Sequence, residues 1–481
     1  MKRLMQINPT DNVAVILVDN DPVAPRGHKI ALRNIAKGET VVKYGFPIGY
    51  ASADIAEGEW VHSHNLKTGL GDTLEYTYKP LICDAVTDLA VPTAEMYLRK
   101  NGDAGIRNEM WIIPTVGCVN GQANQIVQRL KADGLDVGID DIRAYTHSYG
   151  CSQLGYDHDC TRKALAAMAR HPNAGGILVL GLGCENNNID RLRKEIGDFD
   201  PARVRFLVAQ HVEDEVEAGV EICREIIAGM RNDRRIPQPL SKLRIGLKCG
   251  GSDGFSGITA NPLLGRLSDR MTAWGGTTVL TEVPEMFGAE TILMNRANNR
   301  ATFDRIVSLV NNFKDYFRTY NQPIYENPSP GNKDGGITTL EEKSLGCVQK
   351  GGTSPVTDVL PYAARCRVAG LNLLNAPGND LVAATALALS GCQLVLFTTG
   401  RGTPFGTFVP TMKISTNSQL AFRKPNWIDF DAGVLLNDNI DADVVLDDLI
   451  ARIVQVAGGS SLNHESAGAK EIAIFKTGVT L

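Results

Sequence analysis

Leu247-Lys248-Cys249-Gly250-Gly251-Ser252-Asp253-Gly254-Phe255-Ser256-Gly257-Ile258-Thr259-Ala260-Asn261-Pro262 is the stretch whose reading decides the fold. The apolar run Leu243 to Leu247 stops at a thiol, two glycines, a hydroxyl and a carboxylate, and a helical pattern resumes near Pro262. That order reads as strand, polar loop, helix. In an open parallel sheet ligands bind outside the carboxyl ends of the strands, so reactive side chains crowded onto such a loop mark a site. The four glycines between positions 250 and 257 let backbone N–H groups approach an anion. The competing reading is a tight buried turn whose cysteine packs as a small apolar residue.

The same grammar recurs on both sides of this stretch. From Glu109 short apolar runs alternate with longer helical patterns, the signature of βαβ units. Met110 to Val116, Ile142 to Thr146, Ile177 to Leu182 and Arg205 to Ala209 are expected strands, and Thr277 to Thr281, Leu371 to Leu374 and Leu394 to Phe397 continue the series. Four strand ends carry Gly beside Cys: Gly117-Cys118, Gly150-Cys151, Gly183-Cys184 and Cys249-Gly250. Parallel strands joined by right-handed crossovers put their carboxyl ends on one rim, so these thiols meet if the strands are neighbours. Thiolates suit iron or zinc, which makes Cys118, Cys151, Cys184 and Cys249 the expected metal ligands. Cys83, Cys160, Cys223, Cys347, Cys366 and Cys392 show no such placement and are expected to be structural.

Residues 1–70 read instead as a small β module. Ile35-Ala36-Lys37-Gly38-Glu39-Thr40-Val41 is echoed twenty residues on by Ile55-Ala56-Glu57-Gly58-Glu59-Trp60-Val61, each copy a Gly-centred turn opening a strand. The second copy runs into His62-Ser63-His64-Asn65, whose two imidazoles share one side of a strand; a solvated strand end is the bland alternative. Residues 71–107 lose periodicity and read as a linker, 108–240 as a first α/β domain and 241–481 as a second that holds the chemistry. The expected class is thus α/β, a small N-terminal β module before a large region with mostly parallel sheets. A length of 481 residues accommodates several cores, and a net charge of −5 leaves no basic field for nucleic acid. Ten cysteines spread singly suit a reducing cytoplasm, and no run of eighteen apolar residues calls for a membrane.

Three further loops carry polar chemistry. Glu282-Val283-Pro284-Glu285 places two carboxylates just past a strand, for metal ligation or acid/base work, or as acids favoured at a helix start. Asn327-Pro328-Ser329-Pro330-Gly331-Asn332-Lys333 is stiff at its prolines and rich in donors. In Thr399-Gly400-Arg401-Gly402-Thr403-Pro404 the guanidinium stands uncrowded between glycines, a natural carboxylate clamp. No GxGxxG follows a first strand and no GxxxxGK[ST] occurs, so nucleotide cofactors have no support. The groups suit a small polyhydroxylated acid bound near a metal.

Together, His62-Ser63-His64-Asn65, Thr115-Val116-Gly117-Cys118-Val119-Asn120-Gly121, Tyr149-Gly150-Cys151, Gly181-Leu182-Gly183-Cys184-Glu185-Asn186-Asn187 and the loops at 249–262, 327–333 and 399–404 resemble the altronate/galactarate dehydratase family over nearly the whole chain. The HxHN element resembles its altronate branch. The resemblance implies an N-terminal domain of the SAF type and dehydration of D-altronate to 2-dehydro-3-deoxy-D-gluconate in hexuronate catabolism. It also implies dependence on Fe²⁺ or Mn²⁺, with an iron–sulfur cluster left open. Under it the base is His147 or Lys333, and Glu282 or Glu285 is the acid or bridges to metal. Substrate contacts are expected from His62, His64, Ser252, Asp253, Asn261, Asn327, Arg401 and Thr403. Galactarate, another sugar acid or a sulfonated hydroxy acid remain alternative substrates, a catalytically silent sugar-acid sensor remains an alternative class, and assembly into a homo-oligomer stays open.

Overall fold

The computed structural model describes residues 3–70, 75–81 and 89–478. Among them the N-terminal module forms two antiparallel sheets. One orders Leu4–Met5, Val13–Ile16, Lys29–Ala31 and Trp60–Val61; the other orders Thr40–Lys43, Phe46–Ala51 and Leu66–Lys67. The twenty-residue repeat explains the geometry. Ile35 and Ile55 exchange both backbone hydrogen bonds at 2.9 Å, and each copy closes its turn by the same device, Glu39 accepting from Ala36 N–H and Glu59 from Ala56 N–H.

The linker expectation is corrected in part. Thr93–Leu98 and Ala104–Gly105 lie inside it, yet both are strands, sheeted with Arg235–Pro239 from the far end of the next domain. Positions 71–74 and 82–88 of the expected linker lie outside the described residues.

The next unit is a four-stranded parallel sheet in the order Asp141–Ala144, Glu109–Pro114, Ala174–Gly181, Val204–Val208. Its helices include Asn120–Ala132 and Glu215–Met230, whose buried faces share a core with one side of the sheet. The C-terminal unit is a seven-stranded parallel sheet ordered Val356–Leu360, Gly370–Leu374, Thr277–Leu280, Arg244–Cys249, Leu394–Thr399, Thr411–Ser415, Phe430–Asp431. The expected α/β class is therefore present, with parallel sheets following an N-terminal β module. Strands Ile177 to Leu180 and Leu394 to Phe397 are buried throughout, as sheets covered on both faces require. No helix among the described residues is long and apolar enough to cross a membrane.

The strand order locates the site. From Arg244–Cys249 the chain first moves to one side of the sheet, through Thr277–Leu280, and later returns to place Leu394–Thr399 on the other. The direction reverses between these two central strands. A crevice opens at such a reversal, outside the carboxyl ends. The loops that leave these ends are 250–259 and 400–410.

Candidate active site

Those two loops are stitched together. Gly250 N–H donates to Thr398 O, and Gly400 and Arg401 N–H both donate to Gly251 O at 3.0 Å. Gly251 has φ +59°, a conformation that costs a side-chain-bearing residue about 1–2 kcal/mol. The loop 327–336 closes from above: Asn332 Nδ2 donates to Ser252 O at 2.9 Å, and Gly254 N–H to Gly335 O at 2.7 Å. A cavity of about 320 Å³ lies where these loops meet the N-terminal module, walled by Asp253, Asp334, Arg401, Arg423 and, from the module, Arg26. Arg26 lies over the Phe255 ring at 5.1 Å, and its Nε is buried without a hydrogen-bond partner. Arg26 and the exposed Arg401 both line the cavity, which places guanidinium donors for a carboxylate there.

Cys249, the last residue of the strand Arg244–Cys249, enters a buried ionic cluster that reaches the surface at Asp380. Its Sγ lies 3.3 Å from Cys347 Sγ, and both thiols donate to Glu285 Oε2, at 3.0 and 3.1 Å. Lys350 Nζ donates to Cys249 Sγ at 2.8 Å and lies 3.3 Å from Glu282. Glu282 also accepts from Lys248 at 3.0 Å and from Cys249 N–H. Lys343 pairs with Glu285 at 2.8 Å and reaches Asn327 and Asn332, so hydrogen bonds run from the cluster to the cavity loop. Lys248 completes the set through Asp380 at 2.6 Å.

The electrostatics divide the two glutamates. Burial pushes Glu282 up, the neighbouring Glu285 adds to the rise, and Lys248 and Lys350 oppose it. Burial would raise Glu285 too, but Lys343 and Lys350 reverse that and hold it well below the carboxylate range. Desolvation pulls Lys350 down, and the surrounding thiols and carboxylates more than restore it. Glu282 also adopts φ +66°. A buried non-glycine residue held left-handed stores about 1–3 kcal/mol, which marks functional sites.

Cys249, Glu285 and Cys347 offer three ligand atoms within 4.8 Å of one another, the one such group among the described residues. Two sulfurs and a carboxylate suit a borderline divalent ion such as ferrous iron or zinc better than a hard one. Charge permits it: a divalent cation replacing the two thiol protons leaves the balance of three lysines, two glutamates and Asp380 unchanged. Lys350 then donates to a ligating sulfur, the outer-shell contact that tunes metal thiolates.

The four Gly-Cys thiols do not gather into one group. Cys249 ends a strand of the seven-stranded sheet, whereas Cys118, Cys151 and Cys184 follow three adjacent strands of the other sheet and are exposed. Their loops interlock: Gly117 N–H donates to Tyr149 O, Asn187 N–H to Gly150 O, and Thr115 Oγ1 to Glu185 Oε1. Cys347, expected to be structural, sits against Cys249; the others described are buried apart from it, and Cys83 lies outside the described residues.

His147 is anchored on both ring nitrogens. Nε2 donates to Pro114 O at 2.9 Å and Nδ1 accepts from Tyr149 N–H at 3.1 Å, so neither is free to take a proton. Burial lowers its pKa while the Pro114 carbonyl opposes, and its two hydrogen bonds brace the loop that carries Cys151. Lys333 is half-buried, with no ion pair among the described residues. Its carbonyl accepts from His62 Nε2 at 3.0 Å, while His28 Nε2 holds Asp334 O at 3.1 Å. His28, Trp60, His62 and the exposed His64 thus form a ring-on-ring group that docks the module on this loop. Ser252 Oγ is buried and unpartnered. Asp253 is saturated by Thr416, Asn417 and Ser256, Asn261 by Gly346 O and Thr398, and Thr403 Oγ1 accepts from Phe405 N–H. Sequence reading missed Arg26, Arg423, His28, Lys343, Cys347 and Lys350. Only Gly346-Cys347, a further Gly-Cys pair followed by Lys350-Gly351-Gly352, left a local signal.

Comparisons with known proteins match this arrangement. Residues 2–69 match the altronate/galactarate dehydratase SAF domain, residues 96–231 the D-galactarate dehydratase/altronate hydrolase second domain, and residues 240–480 the D-galactarate/altronate dehydratase C-terminal family. The chain is 55% identical to the altronate dehydratase of Bacillus subtilis, covering 100% of both chains, and 55% identical to that of Escherichia coli, covering 99% of both. It is 31% identical to the galactarate dehydratase (L-threo-forming) of Escherichia coli, over 95% of this chain and 92% of that one. The chain belongs to the D-galactarate/altronate dehydratase family.

Proposed function

We propose that this chain is a hydro-lyase that removes water from D-altronate to give 2-dehydro-3-deoxy-D-gluconate, acting in the cytoplasm in hexuronate catabolism. The observation that carries this reading is the 55% identity, end to end, with two altronate dehydratases. The cavity supports it: about 320 Å³ accommodates a six-carbon acid, and Arg26 and Arg401 supply donors for its carboxylate.

In the proposed reaction a base removes the C2 proton, the electron pair spreads into the carboxylate as an enediolate, and the C3 hydroxyl leaves as water after taking a proton. The resulting enol tautomerises to the 2-keto acid. Guanidinium groups at Arg26 and Arg401 stabilise the charge that develops on the carboxylate. Lys333, on the loop that covers the cavity and without an ion pair among the described residues, is the proposed base in its neutral amine form, whereas both His147 nitrogens are engaged. Glu282, raised by burial, is the proposed proton store, and ionised Glu285 is assigned to metal with Cys249 and Cys347. A divalent ion held by these residues would supply Lewis acidity, and the two thiols would favour iron over manganese. Ser252, Asn327 and His64 remain proposed hydroxyl contacts.

A second metal reading rests on Cys118, Cys151 and Cys184. Three exposed thiols on interlocked loops, with Asn120 Oδ1 and Asn187 Oδ1 buried and unpartnered beside them, suit an iron–sulfur cluster in addition to the mononuclear ion. Iron and labile-sulfide analysis of anaerobically purified protein and its C249A and C118S variants separates the two. Sulfide-free protein that loses its iron only in C249A leaves the mononuclear site alone.

The activity is tested by supplying altronate, galactarate and sulfolactate to the iron-loaded protein and measuring 2-keto acid and sulfite. Faster turnover of galactarate than of altronate overturns the substrate assignment.

A further inference from the structure

A second cavity, larger than the one beside Arg401, lies at the opposite end of the second domain. It occupies about 890 Å³ between the second and C-terminal units, beside Ala174 to Ile177 at the amino end of the strand Ala174–Gly181, whereas Cys184 follows the carboxyl end. At roughly 3.3 Å per residue, that strand alone separates the two ends by about 20–25 Å. Seven lining residues are Lys or Arg and four are Asp or Glu, so the cavity carries a surplus of positive charge.

The surplus is poorly neutralised where it matters. Arg203 and Arg99 share Asp233, and Arg365 pairs with Asp103. Arg170, by contrast, spends its guanidinium on the carbonyls of Glu195 and Ile196, and Lys163 and Arg367 have no side-chain partner among the described residues. Desolvation lowers the pKa of Arg170, and Arg365 and Arg367 lower it further while Glu195 opposes them. Guanidinium groups crowded into a half-buried space at mutual cost are stabilised by an anion that pairs with several at once. Phe199, Ile177 and Tyr362 give the same cavity an apolar wall for an uncharged body.

We propose that this cavity is a second ligand site, distinct from the dehydration site, that binds a small phosphorylated metabolite. Phosphate groups lie against Lys163, Arg170 and Arg367, and the organic part packs on Phe199 and Tyr362. Two sources share this chemistry, free phosphate and a phosphate ester, and their affinities tell them apart.

The test is calorimetric titration of the iron-loaded full chain at physiological ionic strength with inorganic phosphate and with fructose 1,6-bisphosphate. One site per chain is expected, unaffected by saturating altronate. The K163E/R367E variant changes two exposed side chains without partners. It is expected to weaken binding at least tenfold while its melting temperature and its turnover without phosphate stay at wild-type values. Tighter binding of the bisphosphate identifies an ester as the occupant; equal affinity identifies free phosphate. The proposal is overturned if neither probe binds saturably, if K163E/R367E binds as wild type does, or if altronate displaces the probe. None of these results bears on whether the chain dehydrates altronate.

Discussion

Arg401 and Arg26 face the same cavity for different structural reasons, and their substitution separates two kinds of legibility. Arg401→Ala removes a charge-assisted pair worth about 2 kcal/mol, so kcat/KM is expected to fall about 30-fold, with kcat sharing the loss because the contact strengthens as charge develops. Arg26→Ala is expected to cost a similar factor, and Arg26→Lys to recover part of it, since the cation over Phe255 is retained. Steady-state kinetics on altronate check both; an unchanged kcat/KM in Arg401→Ala removes the clamp. Arg401 was visible in sequence because two glycines isolate it at a strand end, a feature that needs no tertiary knowledge. Arg26 was not, because it sits in an ordinary turn, Pro25-Arg26-Gly27, and acquires its role only when the module docks. The cysteines show the same limit. Gly-Cys at four strand ends was a real pattern, yet sequence could not say that three belong to one sheet and the fourth to another.

The helix Leu340–Val348 is the element that holds the N-terminal module and the C-terminal unit together, and every one of its nine residues is buried. Glu342 on its first turn takes Lys29 at 2.8 Å on one oxygen and Lys43 at 2.8 Å on the other. Burial lowers Lys29 to about 8, with Glu342 opposing and Lys43 assisting, so removal of the carboxylate strands two cations in the interior. Glu342→Ala is expected to destabilise the protein by about 3–5 kcal/mol. Urea unfolding checks it, and a midpoint equal to wild type refutes the anchoring role. On the same face Gly257 touches the helix: a Cβ there would lie 2.6 Å from Tyr44 Oη and 2.9 Å from Gly346 Cα. Gly257→Ala is therefore expected to cost about 1–3 kcal/mol by overpacking, read in the same experiment. Strands with continuous apolar runs announced themselves, as did the repeat of the N-terminal module. Thr93–Leu98 did not, because its partner Arg235–Pro239 is contributed from beyond an entire domain and its own alternation is brief.

Across the whole molecule, the second and C-terminal units are joined by buried charge as well as by hydrocarbon. Arg107, at the entrance to the second unit, holds Glu465 in a bidentate pair, Nε to Oε1 at 2.9 Å and Nη2 to Oε2 at 2.7 Å, and Lys470 adds a contact at 3.4 Å. Burial would raise the Glu465 carboxyl, but the Arg107 guanidinium outweighs it and holds the group at about 2, against a usual 4.5. Between those values the unfolded chain binds a proton that the folded chain does not, so stability increases with pH across that window. The contribution is complete above pH 4.5 and drains away as pH falls toward 2, on the order of 3 kcal/mol in all. Glu342 and Glu285 are depressed as well, so a comparison isolates this pair: the difference in urea midpoint between wild type and Glu465→Gln should be largest at neutral pH and shrink steadily below pH 4.5. A difference that stays constant from pH 7 to pH 3 would mean that the substitution acts through packing alone, and that the charge pair does not clamp the two units.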